Sequence, residues 1–102
     1  GTSCKVDAPF ACVDAQVLPA GTGTLVLTGQ GVVAATTVAG ASGDCTSIAA
    51  TALPSGVSTS VALSGCPTAS GQKAKGEFTI SYKLQTSPLI KTAKGSWSTT
   101  VQ

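Results

Sequence analysis

Hydroxyl side chains are abundant in this chain, but the groups that would activate them as nucleophiles are scarce. A catalytic serine or threonine needs a neighbouring base, and the 102 residues include no His. The G-x-S-x-G pattern of a nucleophile elbow is also missing from the sequence. A Ser–Lys pair would have to arise by chance proximity among many hydroxyls and six Lys. The sequence therefore predicts no catalytic residue, and we expect that the protein is not an enzyme.

The chain has only four side-chain carboxylates. They are Asp7, Asp14, Asp44 and Glu77. Asp7 and Asp44 stand in loop-like stretches, where aspartate commonly forms turns. Asp14 and Glu77 alternate with apolar residues and are expected on the solvated faces of strands. No D-x-D-x-D-G calcium loop is present, so no metal and no cofactor is predicted.

The four cysteines at positions 4, 12, 45 and 66 indicate two disulfides. Zinc sites usually combine closely spaced Cys pairs with further Cys or His, whereas these spacings are wide and the chain has no His. Four cysteines allow three pairings, of which we favour Cys4–Cys12 with Cys45–Cys66. Disulfides persist in oxidising compartments, so the location expected for the chain is extracellular or at the cell surface.

Candidate binding residues lie in the last third of the chain. Trp97, the only Trp, could stack on a sugar ring, although it shares its strand parity with Val101 and so favours the core. Lys91 and Lys94 could contact anionic surfaces or glycans. The apolar stretch Pro88-Leu89-Ile90 interrupts a polar connection. It could act as an interface or fold back as a lid on the core.

The pattern of Gly76 to Gln85, GEFTISYKLQ, is the clearest structural signal. Apolar and polar residues alternate over ten positions, which is the period of a half-buried strand. A second alternating run, Gly95 to Val101, follows and is predicted to pair with it in antiparallel fashion. Further strands are predicted at 11–18, 24–28, 32–38 and 57–63, with a hairpin across Gly29-Gln30-Gly31 and a loop at 46–56. The fold class expected is all-β: one antiparallel β-sandwich domain over residues 1–102, with six or seven short strands.

Composition narrows the classes of partner. Only 10% of residues are charged, and the net charge of +2 is too small and too scattered for a nucleic-acid interface. No run approaches the about 18–20 apolar residues of a membrane span. A surface of Ser, Thr and Gly with little charge favours dense assembly. Gly1-Thr2-Ser3 could be the remnant of an expression tag, in which case natural sequence would have preceded Cys4.

Several of these features together resemble a known family. They are the spacing of Cys4 and Cys12 before a strand (CKVDAPFACVDAQVL), the mid-chain GDC and LSGCP, and a closing GEFTISY followed by GSWS. This arrangement is similar to the extracellular β-domain of archaeal type IV pilin-like proteins. In that family an apolar N-terminal helix packs in the filament core, and the β-domain faces outward. The resemblance implies that residues 4–102 are such a headpiece and carries over no active site.

Two functions are therefore expected in order of preference. The first is a structural subunit of a cell-surface filament or pilus, which assembles with its own copies and mediates adhesion. The alternative is a secreted β-sandwich module that binds carbohydrate or another surface, such as cell-surface glycans. Exposure of Trp97 and Tyr82 on one face would favour the alternative, and burial of both would disfavour it.

Overall fold

The computed structural model describes residues 1–102 and contains no helix. Nine strands form two antiparallel sheets, so the predicted β-sandwich is confirmed, with more strands than the sequence indicated. The strands are β1 Ser3–Val6, β2 Phe10–Val17, β3 Thr22–Gly29, β4 Val32–Thr37, β5 Gly40–Ser42, β6 Cys45–Ile48, β7 Thr59–Ser64, β8 Lys73–Leu84 and β9 Lys91–Thr100. One sheet has the order β1-β9-β8-β4, and the other has the order β2-β3-β7-β6-β5.

The antiparallel pair β8–β9 forms the centre of the four-stranded sheet, as predicted. Ten residue pairs connect the two strands, from Lys73 opposite Thr100 to Tyr82 opposite Lys91. Strand parity sends alternate side chains to opposite sides of the sheet. One side is buried against the five-stranded sheet, and its members are Ala74, Phe78, Ile80, Tyr82, Ala93, Trp97 and Thr99. Phe10 of β2 meets the Tyr82 ring edge-on, with ring centroids 5.0 Å apart.

The disulfide Cys4–Cys12 joins the two sheets at one side of the sandwich. Cys4 lies on β1, an edge of the four-stranded sheet, and Cys12 lies on β2, an edge of the other sheet. Their Cα atoms are 5.6 Å apart, which is within the usual range for a disulfide. Both cysteines are half-buried and pack against the core. The bridge therefore fixes the position at which the chain crosses between the sheets.

The second disulfide, Cys45–Cys66, lies within the five-stranded sheet. It links the first residue of β6 to a residue just beyond β7, across 21 positions of sequence. Cys45 is fully buried and Cys66 is 7% exposed. Both pairings favoured from the sequence are present, and two such bridges are consistent with an oxidising environment.

The predicted hairpin across Gly29-Gln30-Gly31 is wrong. The two strands that flank this turn belong to different sheets, because β3 pairs with β2 and β7 while β4 pairs with β8. The turn is a crossover between the sheets. Both strands have an apolar face, and placing them in opposite sheets lets those faces meet across the core.

The bulge at Val13 also departs from the sequence pattern. Strict alternation along the strand predicted at 11–18 would place Val13 on one buried face with Ala15 and Val17, but the register of β2 shifts between Cys12 and Asp14. Val13 is the extra residue and is 59% exposed, whereas Ala15 and Val17 are buried. A bulge bends an edge strand and interrupts its regular pairing.

The outer faces of the two sheets differ sharply in charge. Lys5, Lys73, Lys75, Lys83 and Lys94 alternate with inward-facing residues on β1, β8 and β9, so they lie on the outside of the four-stranded sheet. We call this the lysine face. The outside of the five-stranded sheet has a single charged residue, Asp14 on β2, and we call it the neutral face. Its other members are Ala11, Gln16, Thr24, Val26, Thr28, Ser60, Ala62 and Ser64.

Candidate functional site

Two shallow clefts run along the lysine face. The larger has a volume of about 670 Å³ and includes Lys5, Asp7, Glu77 and Lys94 in its lining. The smaller has a volume of about 530 Å³ and includes Asp44 and Lys75. The clefts share Ala41, Glu77 and Ser96. Six of the chain's ten charged side chains therefore meet along one groove.

Asp7 and Asp44 lie at the two margins of this groove, where each is hydrogen-bonded to the backbone of a strand residue. The Asp7 carboxylate accepts a hydrogen bond from the Lys94 backbone N–H at 3.1 Å, and the Asp7 N–H donates to the Lys94 carbonyl at 3.0 Å. Asp44 repeats the arrangement at the other margin. Its carboxylate accepts from the Lys75 backbone N–H at 2.9 Å, and its own N–H donates to the Lys75 carbonyl at 2.8 Å.

These hydrogen bonds give both aspartates a structural role. A carboxylate that accepts a backbone N–H forms a charge-assisted bond, which is stronger than one between neutral groups. Each aspartate thereby pins a loop to an edge of the β8–β9 pair. The sequence prediction placed both residues in turns, and the structure shows which strands those turns are fastened to.

Trp97 lies in the core and is only 2% exposed. Its indole Nε1–H donates to the Ser42 hydroxyl at 2.9 Å, and that hydroxyl donates to the Glu77 backbone carbonyl at 2.8 Å. The indole ring therefore cannot stack on a sugar, and the binding role considered for Trp97 is withdrawn. Tyr82 is 7% exposed, so neither aromatic residue is displayed on a binding face.

The apolar stretch Pro88-Leu89-Ile90 lies at the tip of the β8–β9 hairpin. Leu89 is 65% exposed and Ile90 is 73% exposed. The tip does not fold onto the core, so the idea that it forms a lid is wrong. Lys91 and Lys94 are both exposed. Lys94 lines the larger cleft, while Lys91 follows directly after the tip.

Two glycines that begin the alternating runs of the sequence are positions at which neighbouring groups pack closely against the strands. Gly76 and Gly95 face inward from β8 and β9. A Cβ at Gly76 would run into the Ser42 backbone and the Trp97 indole nitrogen, and a Cβ at Gly95 would run into the Phe78 ring. Both glycines stand on the buried parity of an alternating run. A glycine at such a position is the usual sign that another group approaches the strand closely.

The groove gathers three ammonium groups and three carboxylates, which are the kinds of group that contact polar or charged ligands. No cluster of three or more Cys, Asp or Glu residues is arranged to hold a metal ion. The structure also contains no helix with the length and hydropathy needed to cross a membrane. No model of a known protein family, no curated protein and no solved structure matches the chain.

Proposed function

We propose that this domain is the outward-facing headpiece of an extracellular, cell-surface filament of the pilin-like type. Its role would be assembly with its own copies and adhesion to other surfaces. The observation that supports this most is the neutral face, a sheet surface three strands wide with one charge. Interface cores are depleted in charged residues relative to the rest of a protein surface.

The shape of the neutral face suits contact with a second copy. Its outward residues on β3 and β7 are small or of medium size and lie directly opposite one another, as in Thr24 opposite Ala62 and Val26 opposite Ser60. Small side chains let two sheets approach to about 10 Å. In such an assembly the lysine face and the hairpin tip would remain turned outward.

The sheet edges are less suited to assembly by strand donation. The outer edges β1 and β5 have four and three residues, and β2 is interrupted by the bulge at Val13. The edge of β4 is partly covered, because the Thr37 N–H donates to the Thr51 carbonyl and the Leu53 N–H donates to the Ala35 carbonyl. Short, bulged and covered edges resist pairing with another strand. Contact through the faces of the sheets is the arrangement that the domain favours.

The domain's ends are also compatible with a headpiece. The Thr2 and Thr99 hydroxyls lie 2.9 Å apart, and the Gln102 N–H donates to the Val17 carbonyl at 3.1 Å. Both chain ends therefore lie at one end of a particle that measures 45 × 22 × 16 Å. The hairpin tip lies at the opposite end, so a filament attached through either terminus would present the tip away from its axis.

Ala62→Lys is the substitution that tests the neutral face. We expect wild-type chain to self-associate as concentration rises, and we expect Ala62→Lys to weaken this association at least about tenfold, because the change buries an unpaired charge in the contact. Sedimentation velocity over a concentration series measures the effect. The matched control is Thr92→Lys, a strand position that is likewise exposed but lies on the lysine face.

Two outcomes would count against this contact. One is a wild-type chain that stays monomeric at the highest concentration reached. The other is an equal loss of association in Ala62→Lys and Thr92→Lys, which would indicate an effect of net charge.

Carbohydrate binding is the second candidate, and the larger cleft is the observation that favours it. The cleft brings Lys5, Asp7, Glu77 and Lys94 together in a space of about 670 Å³. The burial of Trp97 and Tyr82 removes the aromatic platform that would hold a sugar ring. Filament assembly is for this reason the function we place first.

A further inference from the structure

The hairpin tip concentrates exposed aliphatic surface at one end of the molecule. Leu89 and Ile90 are the two most exposed of the large hydrophobic residues, at 65% and 73%. Pro88, also exposed, lines a small cleft together with Val33, which is 48% exposed. Single exposed apolar residues are ordinary on protein surfaces, but an adjoining Leu–Ile pair at the apex of a hairpin is an accessible apolar patch.

The charged side chains closest to the tip on β8 and β9 are both cationic, and the carboxylate of the β1–β2 loop, Asp7, is hydrogen-bonded to the Lys94 backbone, three residues beyond Lys91. Lys83 on β8 and Lys91 on β9 stand on the two strands that lead to the tip. The last side-chain carboxylate before the tip is Glu77, and residues 78–102 include no Asp or Glu. The loops 29–31 and 54–57, which are hydrogen-bonded to the same end of the sandwich, are also uncharged. The result is an apolar apex flanked by one lysine on each of its two strands.

We propose that the tip of the β8–β9 hairpin docks on an anionic lipid bilayer. Leu89 and Ile90 would enter the boundary between headgroups and acyl chains, and Lys83 and Lys91 would lie among the anionic headgroups. Partial insertion of aliphatic side chains and attraction of lysines to anionic lipid are the two contributions that bind peripheral proteins to membranes. The tip has both groups of residues in the required order, with the apolar residues outermost.

Charge and chemistry favour the bilayer over the other occupants. A second copy that brought its own tip to this one would bring the same lysines into repulsion. An acidic polysaccharide would use the lysines but offer nothing apolar to Leu89 and Ile90. A bilayer has an anionic layer and hydrocarbon beneath it, so of these three occupants it is the one that matches both parts of the tip.

The position of the tip allows this contact in an assembled filament. Both chain ends lie at the far end of the particle's long dimension, 45 Å in extent. The inference adds a partner to the proposed adhesive role but does not depend on assembly. Vesicle binding by the isolated chain is measured without filaments, so failure of one proposal is distinguishable from failure of the other.

The test measures flotation of the chain with vesicles of phosphatidylcholine alone and with vesicles of equal parts phosphatidylcholine and phosphatidylglycerol. We expect binding to the anionic vesicles and at least about tenfold weaker binding to the neutral ones. The double variant Leu89→Ser with Ile90→Ser is expected to lose binding by at least about tenfold, because both inserted aliphatic side chains are removed. Lys83→Gln with Lys91→Gln should lose a comparable amount and most of the salt dependence.

Matched controls come from the other end and the other sheet. Val13→Ser removes an aliphatic residue of β2 that is 59% exposed, and Lys73→Gln removes a lysine that is remote from the tip and lines neither cleft. Both controls should bind anionic vesicles like the wild type. The emission spectrum of Trp97, the only Trp, reports whether each variant keeps its folded core.

Three results would overturn the proposal. They are no difference between anionic and neutral vesicles, an equal loss of binding in the control variants, and a loss of self-association in the tip variants with vesicle binding unchanged. The last result would assign the tip to a contact between copies of the chain.

Discussion

Replacement of Gly76 by alanine is expected to lower the free energy of unfolding by about 3 kcal/mol, the upper part of the usual range for overpacking a core. A Cβ at this position would meet the Ser42 backbone, which cannot yield as a flexible side chain would. It would also press on the Trp97 indole nitrogen, whose hydrogen bond to the Ser42 hydroxyl is 2.9 Å long. Urea denaturation under oxidising conditions, followed by Trp97 fluorescence, measures the change.

The neighbouring Lys75→Ala variant is the control for this experiment. Lys75 is exposed on the same strand, and its backbone hydrogen bonds with Asp44 do not require its side chain. Surface substitutions of this kind usually change stability by no more than about 0.5 kcal/mol. Equal stability of Gly76→Ala and the wild type would contradict the close approach of β5 to β8.

Removal of the buried disulfide, by Cys45→Ala with Cys66→Ala, is expected to lower the free energy of unfolding by at least about 3 kcal/mol. In the chain-entropy account, a cross-link over 21 positions restricts the unfolded chain by about this amount. Truncation of two buried Cys side chains to Ala removes both sulfurs and leaves space in the core, which adds to the cost. Comparison of urea midpoints and slopes for the variant and the wild type measures the loss.

Removal of the other disulfide, by Cys4→Ala with Cys12→Ala, should cost less. The loop is shorter, with a separation of 8, for which the same account gives about 2.5 kcal/mol. Both cysteines are half-buried, so their loss leaves less empty space in the core. A larger cost for this pair than for Cys45 and Cys66 would mean that the link between the sheets matters more than loop length and burial.

Local alternation predicted the strands well because it depends only on neighbours in sequence. The run from Gly76 to Gln85 has a buried parity, and β8 buries Phe78, Ile80 and Tyr82 as that parity requires. The strands β1, β5 and β6 were missed because they have only three or four residues. So short a segment gives no readable period and forms a strand only because its neighbours offer hydrogen bonds.

Pairing between strands could not be read from the chain in the same way. The turn Gly29-Gln30-Gly31 has the composition of a hairpin, but β3 and β4 enter different sheets. Which sheet a strand joins depends on the apolar faces of all the other strands together. The bulge at Val13 is similar, because an inserted residue changes the parity of everything before it and leaves no mark in the composition.

In the candidate site, too, the features that depend on local alternation were predictable, and those that depend on contacts between distant segments were not. The burial of Trp97 followed from its parity with Val101, and both residues are 2% exposed. The groove that gathers Lys5, Asp7, Asp44, Lys75, Glu77 and Lys94 joins segments far apart in sequence. The contact between Ser42 and Trp97 spans 55 residues. Spacing along the chain gives no indication of the groove or of the contact between Ser42 and Trp97.

The neutral face, the lysine face and the hairpin tip give the domain three distinct surfaces. We propose that the neutral face contacts other copies, that the lysine face remains in solvent and that the tip meets a partner surface. The two disulfides and the Asp7 and Asp44 hydrogen bonds hold these surfaces in fixed relation to each other. A rigid headpiece suits a protein that must assemble repeatedly in one geometry.

The most direct test of the proposed function is immunogold electron microscopy of cells that produce this protein, with an antibody against the folded domain. The filament proposal predicts gold particles at regular intervals along filaments outside the cell. Labelling confined to the cell interior, or to protein released into the medium with no filament labelled, would contradict it.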